Sequence, residues 1–240
     1  MMEKKYRHEF KYLCSLSDAT VIEHRLRTMM NLDLNVGEAT DYHIRSVYFD
    51  DVKHSCLQKN EAGVDSRAKF RIRIYNHSDQ RIMLEKKIKE RTKTRKISTK
   101  LTREQCDILI SGGCLPITED AMAEYSELLK QFLVLIQTRK FHPVTIVSYD
   151  RTPYVYKNGN VRITIDRNIA GSSSFSQFFE ENLCKRPILP LGKVLIEVKY
   201  DEFFPEILKK QMDFGRLRQE TFSKYYLCSK LIYNCGIIVK

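Results

Sequence analysis

The stretch AKFRIRIYNH, Ala68 to His77, decides the fold. Phe70, Ile72 and Ile74 alternate with Lys69, Arg71 and Arg73, so apolar side chains share one face and cations the other. A period of two with one apolar face is a half-buried strand. A strand face made of three cations in succession calls for an explanation.

Outward from this stretch the arrangement recurs. Over 6–13, Arg7, Glu9 and Lys11 oppose Tyr6, His8, Phe10 and Tyr12. Over 81–89, Glu85, Lys87 and Lys89 oppose Leu84 and Ile88, and over 161–167, Arg162, Thr164 and Asp166 oppose Val161, Ile163 and Ile165. Tyr149 and Arg151 share a side of a strand over 144–151, and Glu197 and Lys199 oppose Ile196 and Val198 in 193–200. With 43–50 and 94–100 this makes eight predicted strands. A solvated face of an antiparallel sheet explains any one of them; the joint pattern is a charged interior if the sheet closes.

Helices are predicted from Ser17 to about Asn31, from Thr102 with Gln105 three residues on, and from Glu119 to about Arg139. Two more run from Pro205 to about Gly215 and from Ser223 onward. GSSSFSQFFEENL, from Gly171, reads as a loop followed by a short helix. No repeat, low-complexity tract or polar linker marks a boundary, so one domain over 1–240 is expected.

The chain has 41 Lys+Arg against 30 Asp+Glu, a net charge of +11, which points to an anionic partner. Nucleic acid, a phospholipid surface and small polyphosphates all satisfy bulk charge. Seven scattered cysteines without a C-x-x-C pair argue against a disulfide framework or a zinc site, and buried thiols in a reducing compartment are expected. No signal-like segment or membrane-length apolar run is present, and a cytoplasmic location is expected.

Walker-type, dinucleotide, H-E-x-x-H and G-x-S-x-G motifs are absent, and nine glycines leave little for a phosphate-cradling loop. Any phosphate grip must come from side chains, with guanidinium forks and ammonium charges suited to it. Glu197, Glu9 and Glu85 are the carboxylates that could hold a hard divalent ion. The six histidines show no ligand spacing and receive no role.

RHEFKYL at Arg7, RSVYFDD at Arg45, KFRIRIY at Lys69, LEKKIK at Leu84, SYDRTPY at Ser148, VRITID at Val161, LIEVKY at Leu195 and FSKYYL at Phe222 together carry a resemblance. The chain resembles the VTC family, the polyphosphate polymerase domain of the vacuolar transporter chaperone complex and its bacterial relatives, within the triphosphate tunnel (CYTH-like) superfamily. The resemblance implies an α+β fold: a closed antiparallel β-tunnel of about eight strands with a basic interior and helices packed outside. It implies catalytic roles for Arg71, Arg73, Lys87, Arg151 and Arg162. Phosphate binding would fall to Lys11, Lys69, Lys96, Tyr149, Lys199, Ser223 and Lys224, and metal binding to Glu197, with Glu9 and Glu85 in support. The implied substrates are ATP and polyphosphate, with Mn2+ or Mg2+. A separate membrane protein is left open as a partner, and nucleic acid is ranked last because aromatic stacking positions are not evident on the basic faces.

Competing assignments stand beside these. Arg71 and Arg73 read also as a solvated face, Glu197 as a salt-bridge partner of Lys199 or an arginine, Tyr149 as a core aromatic, and Ser223 as a plain helix cap. Three positions depart from the superfamily patterns. Thr221 stands where some members have lysine, and Lys59 is the available cation where an arginine precedes the turn at Gly63. Arg7 replaces the first glutamate of the hydrolytic E-x-E-x-K pattern. The expected activity is polyphosphate polymerase, with tripolyphosphatase or nucleoside triphosphatase, and a non-catalytic polyphosphate or inositol pyrophosphate binder, as alternatives.

Overall fold

The computed structural model describes residues 6–37, 39–91, 93–212 and 217–237. Eight long strands form one antiparallel sheet: β1 (His8–Ser15), β3 (Tyr42–Asp50), β4 (Arg67–Tyr75), β5 (Ser78–Glu90), β6 (Lys93–Leu101), β7 (His142–Tyr156), β8 (Val161–Ser172) and β10 (Lys193–Tyr200). Their order is β1-β10-β8-β7-β3-β4-β5-β6. Two short strands, β2 (Asn31–Leu32) and β9 (Arg186–Pro187), pair with β7 and β8.

The sheet curls until its first and last strands meet, in keeping with the twist of long antiparallel strands. Among the described residues a single bridge, Arg7 with Thr94, joins the β1 and β6 edges, and its two hydrogen bonds are each 3.2 Å. A second bridge joins Tyr12 to Gln219, and Glu220 N–H donates to the Lys11 carbonyl at 2.9 Å. The sheet is therefore a curled half-barrel whose seam lacks a continuous ladder, not the closed antiparallel β-tunnel that the resemblance implied.

The convex face is apolar and carries helices. α1 (Leu16–Met29) buries Ala19, Ile22 and Leu26 against Ile163, Ile165, Ile196 and Val198. α3 (Arg103–Ile110) and α5 (Glu127–Arg139) bury Leu109, Phe132 and Leu133 against Phe70, Ile72, Ile74 and Leu84. The apolar alternates of the opening stretch thus sit in the largest core cluster. Burying one such side chain contributes about 1.5–3 kcal/mol, which fixes the register and leaves the cations to the concave side.

Helix boundaries moved where a cap decided them. Ser15, not Ser17, caps α1, because Asp18 three residues on completes a reciprocal capping box. The helix expected over 119–139 is two, α4 (Glu119–Glu124) and α5, because Tyr125 is extended and the Ser126 hydroxyl accepts from Leu129 N–H. Thr102 and Gln105 cap α3 as the sequence suggested. α6 (Glu206–Met212) is described to Met212, and the rest of the expected helix lies outside the described residues.

The last helix, α7 (Lys224–Ile237), is not outside the curl. Tyr225 and Cys228 pack with Val147, Tyr149, Ile169 and Leu195, which belong to the concave face. A Cβ on Gly171 would lie 3.0 Å from Cys228 Cβ, so a larger residue there would push the helix back by a few tenths of an ångström. One end of the concave side is therefore filled by α7, and the polar side chains occupy the other.

Cys184 is exposed and Cys56 and Cys114 are half-buried, so only Cys14, Cys106 and Cys228 match the expectation of buried thiols; the Cys235 side chain lies outside those described. Among the described residues no helix is long and apolar enough to cross a membrane.

Candidate functional site

The curl turns the alternating polar face into the wall of a cavity of about 480 Å³. Ten lysines and arginines line it against four glutamates, an excess of positive charge that favours a polyanion. β1 supplies Glu9 and Lys11, β4 Lys69, Arg71 and Arg73, β5 Lys87, β7 Tyr149 and Arg151, and β10 Glu197 and Lys199. Asn60, from α2 (Ser55–Glu61), and Ser223 and Lys224 at the start of α7 complete the wall.

Buried carboxylates set the geometry of the cations. Glu85, 1% exposed, accepts from Arg71 Nε at 2.7 Å and Nη2 at 2.6 Å and from Lys96 Nζ at 2.7 Å. Arg71 also donates to the Tyr48 hydroxyl at 2.8 Å, and Arg73 donates to Ser46 Oγ at 3.1 Å and the Tyr149 hydroxyl at 3.2 Å. Burial opposes a charge on Glu85, but Arg71, Arg73 and Lys96 outweigh it and hold the carboxyl well below its usual range.

Asp166, wholly buried, takes Arg151 through two 2.7 Å bonds and Lys224 Nζ at 2.6 Å. Arg151 reaches Glu197 at 3.2 Å, and Lys199 donates to Glu197 at 2.7 Å. Lys11 lies 3.2 Å from Glu9 and 3.5 Å from Glu197 and donates to the Phe222 carbonyl at 2.7 Å. Lys87 donates to both Glu9 oxygens, at 2.9 and 2.8 Å.

These pairings decide ionisation. Burial disfavours charge on Glu9, yet Lys87 and Lys11 keep it ionised well below the usual range; for Glu197, burial is likewise outweighed by Lys199 and Lys224. Burial pulls the Lys199 amine down to about 8 against the pull of Glu197 and Glu9. Lys69 is lowered strongly, first by burial and then by Arg67, Lys87 and Lys11.

Of the residues singled out from the sequence, Lys11, Lys69, Arg71, Arg73, Lys87, Tyr149, Arg151, Lys199, Ser223, Lys224, Glu197 and Glu9 line the cavity together. Three do not. Arg162 turns to the Tyr42 hydroxyl at 3.0 Å and to Asp33 at 2.9 Å, although Lys199, its partner across on β10, lines the cavity; the ion pair with Asp33 holds it aside. Lys96 stands half-exposed behind Glu85, and the Glu85 oxygens are occupied by Arg71 and Lys96. Arg7 pairs with Asp201 at 2.7 Å, outside the cavity. Lys59 is exposed and its neighbour Asn60 enters instead, while Thr221 lines the wall.

Sequence reasoning gave no role to Ser46, Tyr48, Asn60 or Asp166. Alternation in YHIRSVYFD puts Ser46 and Tyr48 on one face and was a usable signal. Asn60 arrives from a helix, where no strand period announces it. The competing assignments for Glu197 and Ser223 also hold: Glu197 is salt-bridged to Lys199 and Arg151, and Ser223 caps α7 by accepting from Tyr226 N–H at 3.3 Å.

Among the described residues no group of three carboxylate, histidine or cysteine side chains is placed to hold a metal. Glu9 and Glu197, joined through Lys11, are two hard oxygen donors on the wall. Their oxygens are engaged by Lys11, Lys87, Lys199, Lys224 and Arg151, so the set does not fit an all-protein cage and fits Mg2+ or Mn2+ only where substrate phosphates complete the shell and take over those cations.

Three comparisons bear on this site. No curated protein matches the chain. Its fold is similar to that of HpAC1 from Hippeastrum, a candidate adenylyl cyclase with dominant triphosphatase activity, at TM-score 0.54 and 11% identity over 97% of this chain and 96% of that one. Candidate adenylate cyclases are similar too: that of Vibrio parahaemolyticus at TM-score 0.51 and 11% identity, covering 95% and 99%, and that of Bacillus halodurans at 0.50 and 14%, covering 90% and 95%. At such identities the likeness is one of fold. The model of the VTC domain matches residues 6–233, which takes in every strand of the curled sheet and the wall of its cavity, and the chain belongs to the VTC domain family.

Proposed function

We propose that the protein is a polyphosphate polymerase, which transfers the γ-phosphoryl group of ATP to the end of a growing polyphosphate chain. The observation that supports it most is the wall itself: guanidinium groups clamped by buried acids, surrounded by ammonium groups, with a net positive charge. A terminal phosphate oxygen of the acceptor attacks the γ-phosphorus, a new P–O–P bond forms, and the bond to the β-phosphate bridging oxygen breaks, so ADP leaves. Arg71, Arg73 and Arg151 offer phosphoryl oxygens the guanidinium N–H groups that their clamping partners leave free, and Lys11, Lys69, Lys87, Lys199 and Lys224 supply charge. Tyr149 and Ser223 add hydroxyl contacts.

Glu197 and Glu9 would hold a Mg2+ or Mn2+ ion, which when bound neutralises phosphate charge. The acceptor oxygen is already anionic, so no general base is needed. Neither Glu9 nor Glu197 is suited to be one, since lysines hold both as weakly basic carboxylates. This favours an anionic acceptor over water. In this reading the Arg7–Thr94 and Tyr12–Gln219 bridges complete a tunnel around the bound chain.

The test is incubation with ATP and Mn2+, with and without a short polyphosphate primer, resolved by gel and phosphorus NMR. A polymer ladder that disappears in folded Arg73→Ala is the expected result. Orthophosphate without polymer would make the protein a hydrolase, and tight polyphosphate binding without turnover would make it a sensor.

A further inference from the structure

Lys69 differs from Lys11, Lys87, Lys199 and Lys224; among the described residues Lys89, the remaining lysine of the wall, shares its lack of an ion pair but is less deeply buried. Lys11, Lys87, Lys199 and Lys224 each lie within 4.0 Å of a carboxylate oxygen. Lys69 Nζ instead donates to Asn60 Oδ1 at 2.6 Å, sits 3.2 Å from Ser223 Oγ, and lies 4.6 Å over the Tyr225 ring. Nearby carboxylates are committed elsewhere: Glu9 to Lys87, Glu85 to Arg71 and Lys96, and Glu61 to Tyr226 and Lys230.

The groups that act on it most strongly are cationic or neutral. Arg67 flanks it on its own strand, Lys87 stands across from it on β5, Lys11 approaches from β1, Cys56 from α2, and Tyr225 from α7. Lys69 side-chain charge is thus opposed by burial and by three cations, with uncharged oxygens as its hydrogen-bond partners. Burial and the same cations hold the amine well below the ordinary lysine range.

We propose that Lys69 is a proton-coupled anion contact: entry of a triphosphate or longer polyphosphate brings the one counter-charge this amine lacks, and a proton is taken up onto Lys69 as the anion binds. The inference rests on the anion-binding reading of the cavity, not on turnover. Its consequence is that affinity for the anion falls as pH rises through the interval between the free and the liganded amine, because the proton must then be drawn from a scarcer supply. A cation already paired with a carboxylate gains little by comparison, which is why the coupling is assigned to this residue.

The experiment is titration calorimetry of the whole protein with inorganic tripolyphosphate, without metal, in buffers of different ionisation enthalpy. Lys69→Arg, whose charge does not titrate in this range, is the control. Wild type is expected to take up up to about one proton more per site than Lys69→Arg, and the variant's affinity is expected to vary less with pH. Equal proton uptake in the two proteins would overturn the proposal. Should the variant not fold, NMR of the Lys69 side chain in wild type decides: an amine titrating at the ordinary lysine position before tripolyphosphate is added overturns it, and one that titrates higher once the anion is bound supports it. Failure of wild type to bind tripolyphosphate at all would overturn both this coupling and the anion-binding reading, whereas binding with coupling but no polymer would sink only the polymerase assignment.

Discussion

Glu85 shows how a buried acid acts through its neighbours. It holds Arg71 by two nitrogens and Lys96 by one, so losing its charge frees the guanidinium and leaves cations without their counter-charge. Glu85→Gln is expected to cost about 3–5 kcal/mol of stability, the range for breaking one side of a buried pair, measured by denaturant unfolding. The pH sign follows from the same pairing. The Glu85 carboxyl is lowered from its ordinary 4.5 in the folded protein, so its contribution is present above that value and is lost as pH falls toward the folded one. Wild type should therefore lose stability steeply below pH 4.5, and Glu85→Gln less steeply over the same interval. Parallel acid profiles for the two would refute the assignment. The roles of Glu85 and Asp166 were hard to see in the sequence because a strand period gives a face and says nothing of which cation an acid meets. The same limit misplaced Arg162, which shares a face with Asp166 but not its depth.

At the scale of elements, two ties hold the site. Asp50, wholly buried, accepts from Cys56 and Leu57 N–H at the start of α2 and from the Tyr225 hydroxyl of α7 at 2.7 Å. It thereby links the helix that carries Asn60 to the one that carries Lys224. Tyr225→Phe should lower stability by about 1–3 kcal/mol, read from the denaturant midpoint, and should loosen anion binding as well. An unchanged midpoint would show that α7 is held by packing alone. On the convex side Arg45, 1% exposed, donates to the carbonyls of Phe178 at 3.1 Å, Glu181 at 2.8 Å and Glu180. Arg45→Met keeps the bulk but removes the donors, and limited proteolysis should then cut within 175–185 faster than in wild type. Caps such as Thr102 with Gln105 were legible because their spacing is local. The loop over 175–184 was not, since its order comes from an arginine more than a hundred residues away.

For the whole molecule, the seam and the charge set the expectations. Arg7 and Thr94 share an isolated bridge, so their amides should exchange with solvent faster than those of the β4–β5 ladder. Tripolyphosphate should raise the melting temperature, by about 2.7 kcal/mol of stabilisation at a hundredfold excess over Kd, and the gain should shrink with salt because the wall's excess charge is screened. Sulfate at equal ionic strength giving the same rise would mean that the cavity senses charge without chain length. The sequence by itself determined the sheet and its two faces, because alternation such as KFRIRIY depends only on neighbours two residues apart and on the cost of exposing apolar side chains. It determined the family through motifs lying in order on those strands. Only the tertiary structure decided that α7 enters the curl, that Asn60 and Tyr48 join the wall while Arg162 leaves it, and which acid holds each cation. Those outcomes depend on curl, depth and long-range pairing, and these are fixed by the packing of whole elements rather than by the period of any one strand.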